Sequence, residues 1–281
     1  MQVKNFTTSQ IWQQSNRIRY DIKNVVNLDG IDFLIKENEI QCLQFFNIDF
    51  TDNLLKLLKS ASVNEKDIVF KYINLAESDK TFLKNWCEKN NLEFQIVDEW
   101  DAPMLFLDIA IEEHISKGAT QLKRDFVKYL QDDKMDYELY DKTNLKLWTD
   151  VLYIDRNSWK GEKNCDMKSL EREDLQYVFY LMNNLENSSL MVASKDGEPL
   201  AYSLWFKSED DQLWYAAKWG ASTNGRAHSA GIKVLFNHIF YMKEQTENLK
   251  LDFWGRRSNF YDMIKNKDIK RYHFKIRRKN G

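Results

Sequence analysis

A mixed α/β (α+β) fold is the architecture this sequence predicts, and three observations carry it. Strand-like and helix-like segments alternate along the 281 residues with short connections. Residues 189–218 hold three strand patterns in succession, joined by the polar turns KDGE and SEDD, and the Asp-Gly of the first is a strong hairpin signal. The third of these strands runs through a short turn into an amphipathic helix. Composition agrees. The chain is 43% hydrophobic and 14% aromatic, enough for a substantial core, and its 9 Gly and 2 Pro argue against a low-complexity chain. A length of 281 residues suits one large domain or two of ordinary size, and no internal repeat is visible.

The individual elements follow from periodicity. Residues 6–30 open with a helix-like stretch, SQIWQQSNRIRYD. IDFLI (31–35) and IQCLQFF (40–46) read as strands joined by a polar hairpin at 36–39. DNLLKLLKS (52–60) is an amphipathic helix, and DIVFKYI (67–73) is a strand by its apolar, β-branched content. A helix over 78–90 takes Ser78 or Asp79 as its N-cap. Strands follow at 92–97 and, separately, at 103–107. The middle is helical: first 111–117, then 120–132. The longer helix turns Lys123, Arg124 and Lys128 outward and Leu122, Phe126, Val127 and Leu130 inward. Next come a strand at 137–140, a helix at 143–159 closed by Gly161 at the C′ position, and a helix at 170–185. Beyond the three-strand meander and its helix lie a strand at 249–254, a loop at 255–258, a short helix at 259–266 and a last strand at 272–277.

The stretch with the most chemistry is 212–241. Leu213, Trp214, Tyr215, Ala216 and Ala217 make a strand, and the Gly220-to-Gly225 segment reads as a non-helical turn. A helix begins near Ser229 and buries Ile232, Leu235, Phe236, Ile239 and Phe240 at one-face spacing. The junction RAHSAG (226–231) is small and carries no acid. A strand-to-helix junction of this kind exposes unpaired N–H groups at the positive end of the helix dipole, which suits phosphate or pyrophosphate. The competing reading is an ordinary loop with Ser229 as N-cap.

Whole-chain properties exclude several classes. A net charge of −2 gives no global attraction for nucleic acid. The end KNKDIKRYHFKIRRK (265–279) is basic. It reads as an exposed strand with a frayed tail or as an electrostatic guide for an anionic ligand. Cys42, Cys87 and Cys165 with 4 scattered His form neither a zinc motif nor a disulfide framework, so no metal is expected. No secretory h-region and no apolar run long enough for a membrane span is present, so the expected location is cytoplasmic.

From residue 170 onward the order is helix, three strands, helix with an anion-suited start, strand, short helix, strand. That order resembles the acyl-CoA N-acyltransferase (GNAT) fold. The usual Gln/Arg-x-x-Gly-x-Gly/Ala signature is represented here only by Arg226 and the later Gly231. A closer resemblance is to the branch related to Fem peptidyltransferases and polysaccharide-biosynthesis acetyltransferases. QLKRD (121–125), IDRNSWKG (154–161) and DGEPLA (196–201), running on to SAG (229–231) and DFWG (252–255), carry it. The resemblance covers about 105–265. It implies tandem GNAT-like halves: residues 1–110 as scaffold or acceptor side, and 111–281 as the more complete acyltransferase domain.

What the resemblance implies for chemistry is acyl transfer from acetyl-CoA or another acyl-CoA to a small-molecule amine, in an amino sugar or amino acid of envelope polysaccharide or related biosynthesis. Such a reaction needs the amine deprotonated, the thioester oxygen stabilised and the thiolate protonated. Ala217 and Trp219 would lie by the thioester on strand four. Arg226, Ala227, Ser229, Ala230 and Gly231 would hold the pyrophosphate, and Tyr261 would be the acid for the thiolate. Asp155, Trp159 and Lys160 become substrate-site candidates. Asp252, a carboxylate in the apolar run LKLDFW, is a base or substrate ligand, or sits on an exposed strand face. His228 binds phosphate or acts as base, or is an ordinary surface residue. Arg256, with Arg257, suits an anionic acceptor, or is solvated. The alternatives are an aminoacyl-tRNA-dependent transferase of Fem type, with tRNA meeting 265–279 and 120–132, and a non-catalytic binding module of the same fold.

Overall fold

A computed structural model describes residues 6–28, 31–43, 51–59, 66–130, 134–140, 146–162, 166–208, 213–254 and 259–279. The chain forms two compact units. One is residues 7–102 with 268–281; the other is Pro103–Lys267 together with Phe6. The last strand therefore belongs with the first hundred residues, although the other unit precedes it in sequence.

In the first unit, α1 (Gln10–Arg19) is capped by Ser9, whose hydroxyl accepts from the Trp12 amide. The strands β1 (Val25–Leu28), β2 (Ile31–Ile35) and β3 (Glu39–Cys42) form an antiparallel meander. The β2–β3 turn is tied by Lys36 Nζ on Glu39 at 2.8 Å. After α2 (Thr51–Lys59), β4 (Asp67–Ile73) pairs parallel to β3. α3 (Glu77–Lys89) follows, then β5 (Leu92–Leu107), and β11 (Lys267–Arg278) lies antiparallel to β4. The strand order is β1-β2-β3-β4-β11-β5. Phe33, Ile40, Leu54, Phe70, Leu83 and Phe274 fill its core, each worth roughly 1.5–3 kcal/mol when buried.

Three sequence expectations change here. α3 starts one residue earlier than its predicted cap. Asp79 sits in its first turn and reaches back to accept from the Ala76 amide at 3.1 Å. The strands expected at 92–97 and 103–107 are one strand, β5, because Pro103 continues the extended backbone that proline itself favours. The basic end is no frayed tail. Lys275 pairs with Asp67 at 2.7 Å, Arg277 with Glu93 at 2.9 Å and Lys270 with Asp101 at 3.3 Å.

The second unit begins with the end of β5 and continues through α4 (Ile111–Lys117), α5 (Thr120–Leu130), β6 (Asp136–Leu139), α6 (Lys146–Arg156), α7 (Trp159–Glu162) and α8 (Met167–Asn183). The meander is β7 (Ser188–Lys195), β8 (Glu198–Lys207) and β9 (Leu213–Ala221). Then come α9 (Thr223–Ala227), α10 (Ala230–Gln245), β10 (Leu249–Asp252) and α11 (Asn259–Ile264). Its strand order is β5-β10-β9-β8-β7-β6. Apart from the parallel β9–β10 pair, the registered neighbours are antiparallel. α10 packs Leu235, Phe236 and Ile239 on one face of this sheet, with Trp205, Leu249 and Leu251.

In α5, Val127 is exposed rather than inward, whereas Leu122 is fully buried. The predicted helix over 143–159 is shorter, and Gly161 lies inside the next helix instead of at a C′ cap. A Cβ on Gly161 would stand 1.9 Å from the Arg156 carbonyl oxygen. Gly161→Ala is therefore expected to cost about 2–3 kcal/mol, because backbone must move, and urea denaturation reads it directly. A second surprise is α9, which forms where a non-helical turn was expected. Ser222 supplies its cap, accepting from the Gly225 amide at 3.0 Å. Gly225 is required there, since a Cβ would meet the Leu200 carbonyl oxygen at 2.2 Å.

Candidate active site

The chemistry of the second unit gathers around β9. Its parallel ladder with β10 pairs Lys250 with Leu213, Leu251 with Trp214 and Asp252 with Tyr215. From Ala216 onward, β9 pairs only with β8 among the described residues. The two strands part there. On the other side, the register with β8 slips at the same place: Trp205 faces Ala216 and Leu204 faces Lys218, leaving Ala217 as the extra residue of a bulge. Main-chain polar groups so displaced from a ladder must find other partners or a ligand.

The bulge also redistributes side chains. Trp214 and Ala216 pack toward α10. In a regular strand Lys218 would share that face. With Ala217 inserted, it turns to the opposite face, which it shares with Tyr202 and Tyr215. Trp219 turns to the α10 side, where its indole N–H donates to the Gly231 carbonyl at 2.8 Å.

On the opposite face lies a buried ionic network. Lys218 is 8% exposed, and its ammonium meets Asp155 Oδ2 of α6 at 2.6 Å and Asp174 Oδ1 of α8 in a tight contact. Glu173 is 3.8 Å away, and the Tyr177 ring centroid lies 5.7 Å from the ammonium. Tyr202 of β8 donates its hydroxyl to Asp155 Oδ1 at 2.9 Å. Gly220 permits the approach, since a Cβ would sit 2.8 Å from Tyr202 and 2.9 Å from Asp155. Burial works to raise the Asp155 pKa, but the charges of Lys218 and Lys160 outweigh it and hold the carboxyl below the usual range. Burial dominates at Asp174, with the Asp155 charge adding, and pushes it up to about 7 against the pull of Lys218. Burial lowers and the carboxylates raise the Lys218 pKa, and the carboxylates win. The ammonium stays charged.

The turn expected to bind pyrophosphate uses most of its own amides. Gly225 donates to the Ser222 hydroxyl, and Arg226 to the Ser222 carbonyl at 3.0 Å. Ser229 donates to the Arg226 carbonyl at 3.0 Å. Ser229 takes a left-handed backbone, φ 55°, and its side chain does not cap α10. Ile232 and Lys233 both donate to its carbonyl. Ala230 and Gly231 are the first two residues of α10. Trp219 brings them beside β9.

The predicted site residues thus fall into groups. Trp219, Ala230 and Gly231 pack together, and Ala217 is the bulge residue two positions before Trp219. Tyr261 joins them: its ring stacks on Phe253 at 4.4 Å and lies 5.9 Å from that of Trp219, and burial pushes its hydroxyl up to about 12. Asp252 is buried at the end of β10, where Oδ1 accepts from the Trp254 amide at 2.8 Å. Arg226 and Ala227 are exposed on α9, and His228 is half-buried at its end. Asp155 is on the far face of β9. Trp159, 57% exposed, and Lys160 lie on α7. The turn before α7 is joined to α9 by the Thr223 amide on the Asn157 carbonyl at 2.8 Å. Arg256 lies outside the described residues.

Lys218, Asp174 and Tyr202 escape a reading by motif. For Lys218 and Asp174 the signal was a charge on an apolar face. Lys218 is the lone charged side chain of the strand LWYAAKWGA, and Asp174 shares the buried face of α8 with Leu170 and Leu181. No group of metal-ligating side chains occurs among the described residues, nor does a helix there have the length and apolarity to cross a membrane.

No protein-family model matches this chain, and no curated protein matches it in sequence. Solved structures do match in fold. The C-terminal domain of a putative lysylphosphatidylglycerol synthetase from Agrobacterium fabrum aligns at TM-score 0.60 and 14% identity, over 98% of this chain and 93% of that one. FemX aligns at TM-score 0.61 and 11% identity, over 98% and 96%. A tandem GNAT protein from the clavulanic acid biosynthesis pathway aligns at TM-score 0.52 and 8% identity, over 96% and 88%. The fold is tandem GNAT-like.

Proposed function

We propose that the chain is an acyltransferase of the GNAT type, passing an acyl group from acetyl-CoA or another acyl-CoA to the amine of a small molecule such as an amino sugar or amino acid. The observation that carries this reading is the parting of β9 from β10 at the Ala217 bulge, beside the start of α10, to which Trp219 is tied through the Gly231 carbonyl. A reacting carbonyl held there would meet main-chain N–H groups fixed in advance, the kind of stabilisation an oxyanion needs. The Ala230 and Gly231 amides, at the positive end of α10, would take a phosphate of the donor. Tyr261 keeps its proton throughout the neutral range, so it can supply one to a departing thiolate. Asp252 is placed at the last paired residue of β10, where an amine acceptor would approach. Asp155 belongs to the ionic network, so its role is to shape the strand rather than to touch substrate. The synthetase and FemX likenesses support acyl transfer in general, and an envelope-related acceptor fits them.

A second reading, an aminoacyl-tRNA donor of Fem type, is favoured by one observation: the turn at 222–229 satisfies its own amides and leaves little cradle for a pyrophosphate. The ion-paired β11 offers less free positive charge to tRNA than the sequence promised. A thermal-shift panel decides. Acyl-CoA at 100 times its Kd should add about 2.7 kcal/mol of stability and raise Tm. An unchanged Tm with every acyl-CoA, and a rise with aminoacylated tRNA that salt abolishes, would transfer the proposal to the second donor. No response to either removes the transferase reading.

A further inference from the structure

We infer that Lys218 is the positioning residue of this opening: pulled through the bulge to the α6/α8 face and held by Asp155 and Asp174, it fixes the main chain of residues 216–219 that lines the other side. The inference rests on the reading of the β9–β10 parting as the donor site, and adds a device that sets its shape.

A bulge holds one residue more than its partner strand can pair, so the inserted residue can in principle shift along the strand. Two anchors directly after Ala217, one on each face of the strand, oppose a shift toward the C-terminus. On the α10 side, Trp219 is tied to the Gly231 carbonyl at 2.8 Å. On the far side, Lys218 is tied to two helices at once, through Asp155 at 2.6 Å and through Asp174. Asp155 is itself oriented by the Tyr202 hydroxyl, which comes from the strand that β9 pairs with. Moving the bulge toward the C-terminus, past Lys218, would turn that side chain into the apolar layer under α10, away from both carboxylates, and a buried unpaired ammonium there is prohibitive. The ionic network therefore holds the bulge ahead of Lys218.

The charges around this group come from every element packed on it. They are Asp155 of α6, Lys160 of α7, Glu173 and Asp174 of α8 and Lys218 itself, with the phenols of Tyr177 and Tyr202. None of them is on the side where the donor is read to sit. Lys218 thus acts through the main chain and not by contact with substrate.

The test compares the whole protein with K218M and with the charge-free triple variant K218M/D155N/D174N, which keeps the fold accessible if the single change does not. Amide hydrogen exchange is read by mass spectrometry on the peptide spanning 214–221, and the Tm shift with acetyl-CoA is read in parallel. The expected result is a triple variant with cooperative unfolding, exchange at 216–219 at least tenfold faster than in the parent, unchanged exchange in β7 and β10, and a Tm shift with acetyl-CoA cut by more than half. D174N alone, which leaves the Asp155 tie, should keep slow exchange. Parental exchange at 216–219 in the folded triple variant would overturn the inference, whatever acetyl-CoA does. Faster exchange in the triple variant with a parent that ignores acetyl-CoA would uphold the positioning role and instead count against the acyl-CoA donor.

Discussion

Lys218→Met is expected to lower the stability of the protein by about 3–5 kcal/mol, a large share of the total for a domain of this kind. The reason is what it leaves behind. Asp155 and Asp174 are 0% and 2% exposed, and without the ammonium they are left as two buried carboxyls with no cation between them. Each then has to give up its charge or bear the cost of burying it unpaired. Adding Asp155→Asn and Asp174→Asn should recover most of the loss, because neutral amides of the same shape remove the uncompensated charge. The sign of the pH dependence follows. With no ammonium the carboxyls bind protons more tightly in the folded state than in the unfolded one, so the deficit of Lys218→Met should shrink toward pH 5 and grow toward pH 8. Equilibrium urea unfolding of the three proteins at those two pH values measures it. A single variant within 1 kcal/mol of the parent would mean that the network is only a surface ion pair in disguise.

The second large effect is the response of the parent protein to pH through Asp174. Its carboxyl is raised to about 7 in the folded state, mainly by burial, from an ordinary value of 3.8. A group raised in this way contributes its stability in full below the ordinary value and loses it as pH climbs through the raised one. Three pH units correspond to about 4 kcal/mol as an upper bound, and the coupling to Lys218 brings the figure down. Asp155 is shifted the other way, so its share is present above its ordinary pKa and is lost on acidification. Stability from this cluster should therefore decline as pH rises from about 4 toward 8, and Asp174→Asn should flatten the decline. Urea midpoints across that range give the answer. Parallel curves for parent and variant would contradict the assignment of the raised carboxyl to Asp174.

How far the sequence led depended on which physical signal each feature leaves. Local pattern was enough for most elements. The apolar spacing of Leu235, Phe236 and Ile239 found α10 and its buried face, and Asp196-Gly197 marked the β7–β8 turn. Features set by tertiary context were not legible. The Ala217 bulge has no sequence signature, because Ala217 is an ordinary strand residue that is displaced by the partner strand's register. That one slip decides whether Lys218 faces α10 or the α6/α8 layer, so the network could not be assembled from the string alone. Ser222 explains the missed helix α9: its side-chain cap on the Gly225 amide outweighed the low helix propensity of the glycine inside the helix. The membership of β11 in the N-terminal unit is equally a long-range fact, carried by pairing with β4. Trp159, a substrate-site candidate by resemblance, is 57% exposed on α7.

The acyl donor is proposed to occupy the place where β9 leaves β10. Amide chemical-shift mapping on isotope-labelled protein tests it most directly, first with acetyl-CoA and then with an aminoacylated RNA acceptor stem. Whichever donor binds is expected to perturb the amides of residues 216–219 together with those of Ala230 and Gly231, while β1–β4 stay silent. Perturbations confined to residues 7–102, or none with either donor, would contradict it.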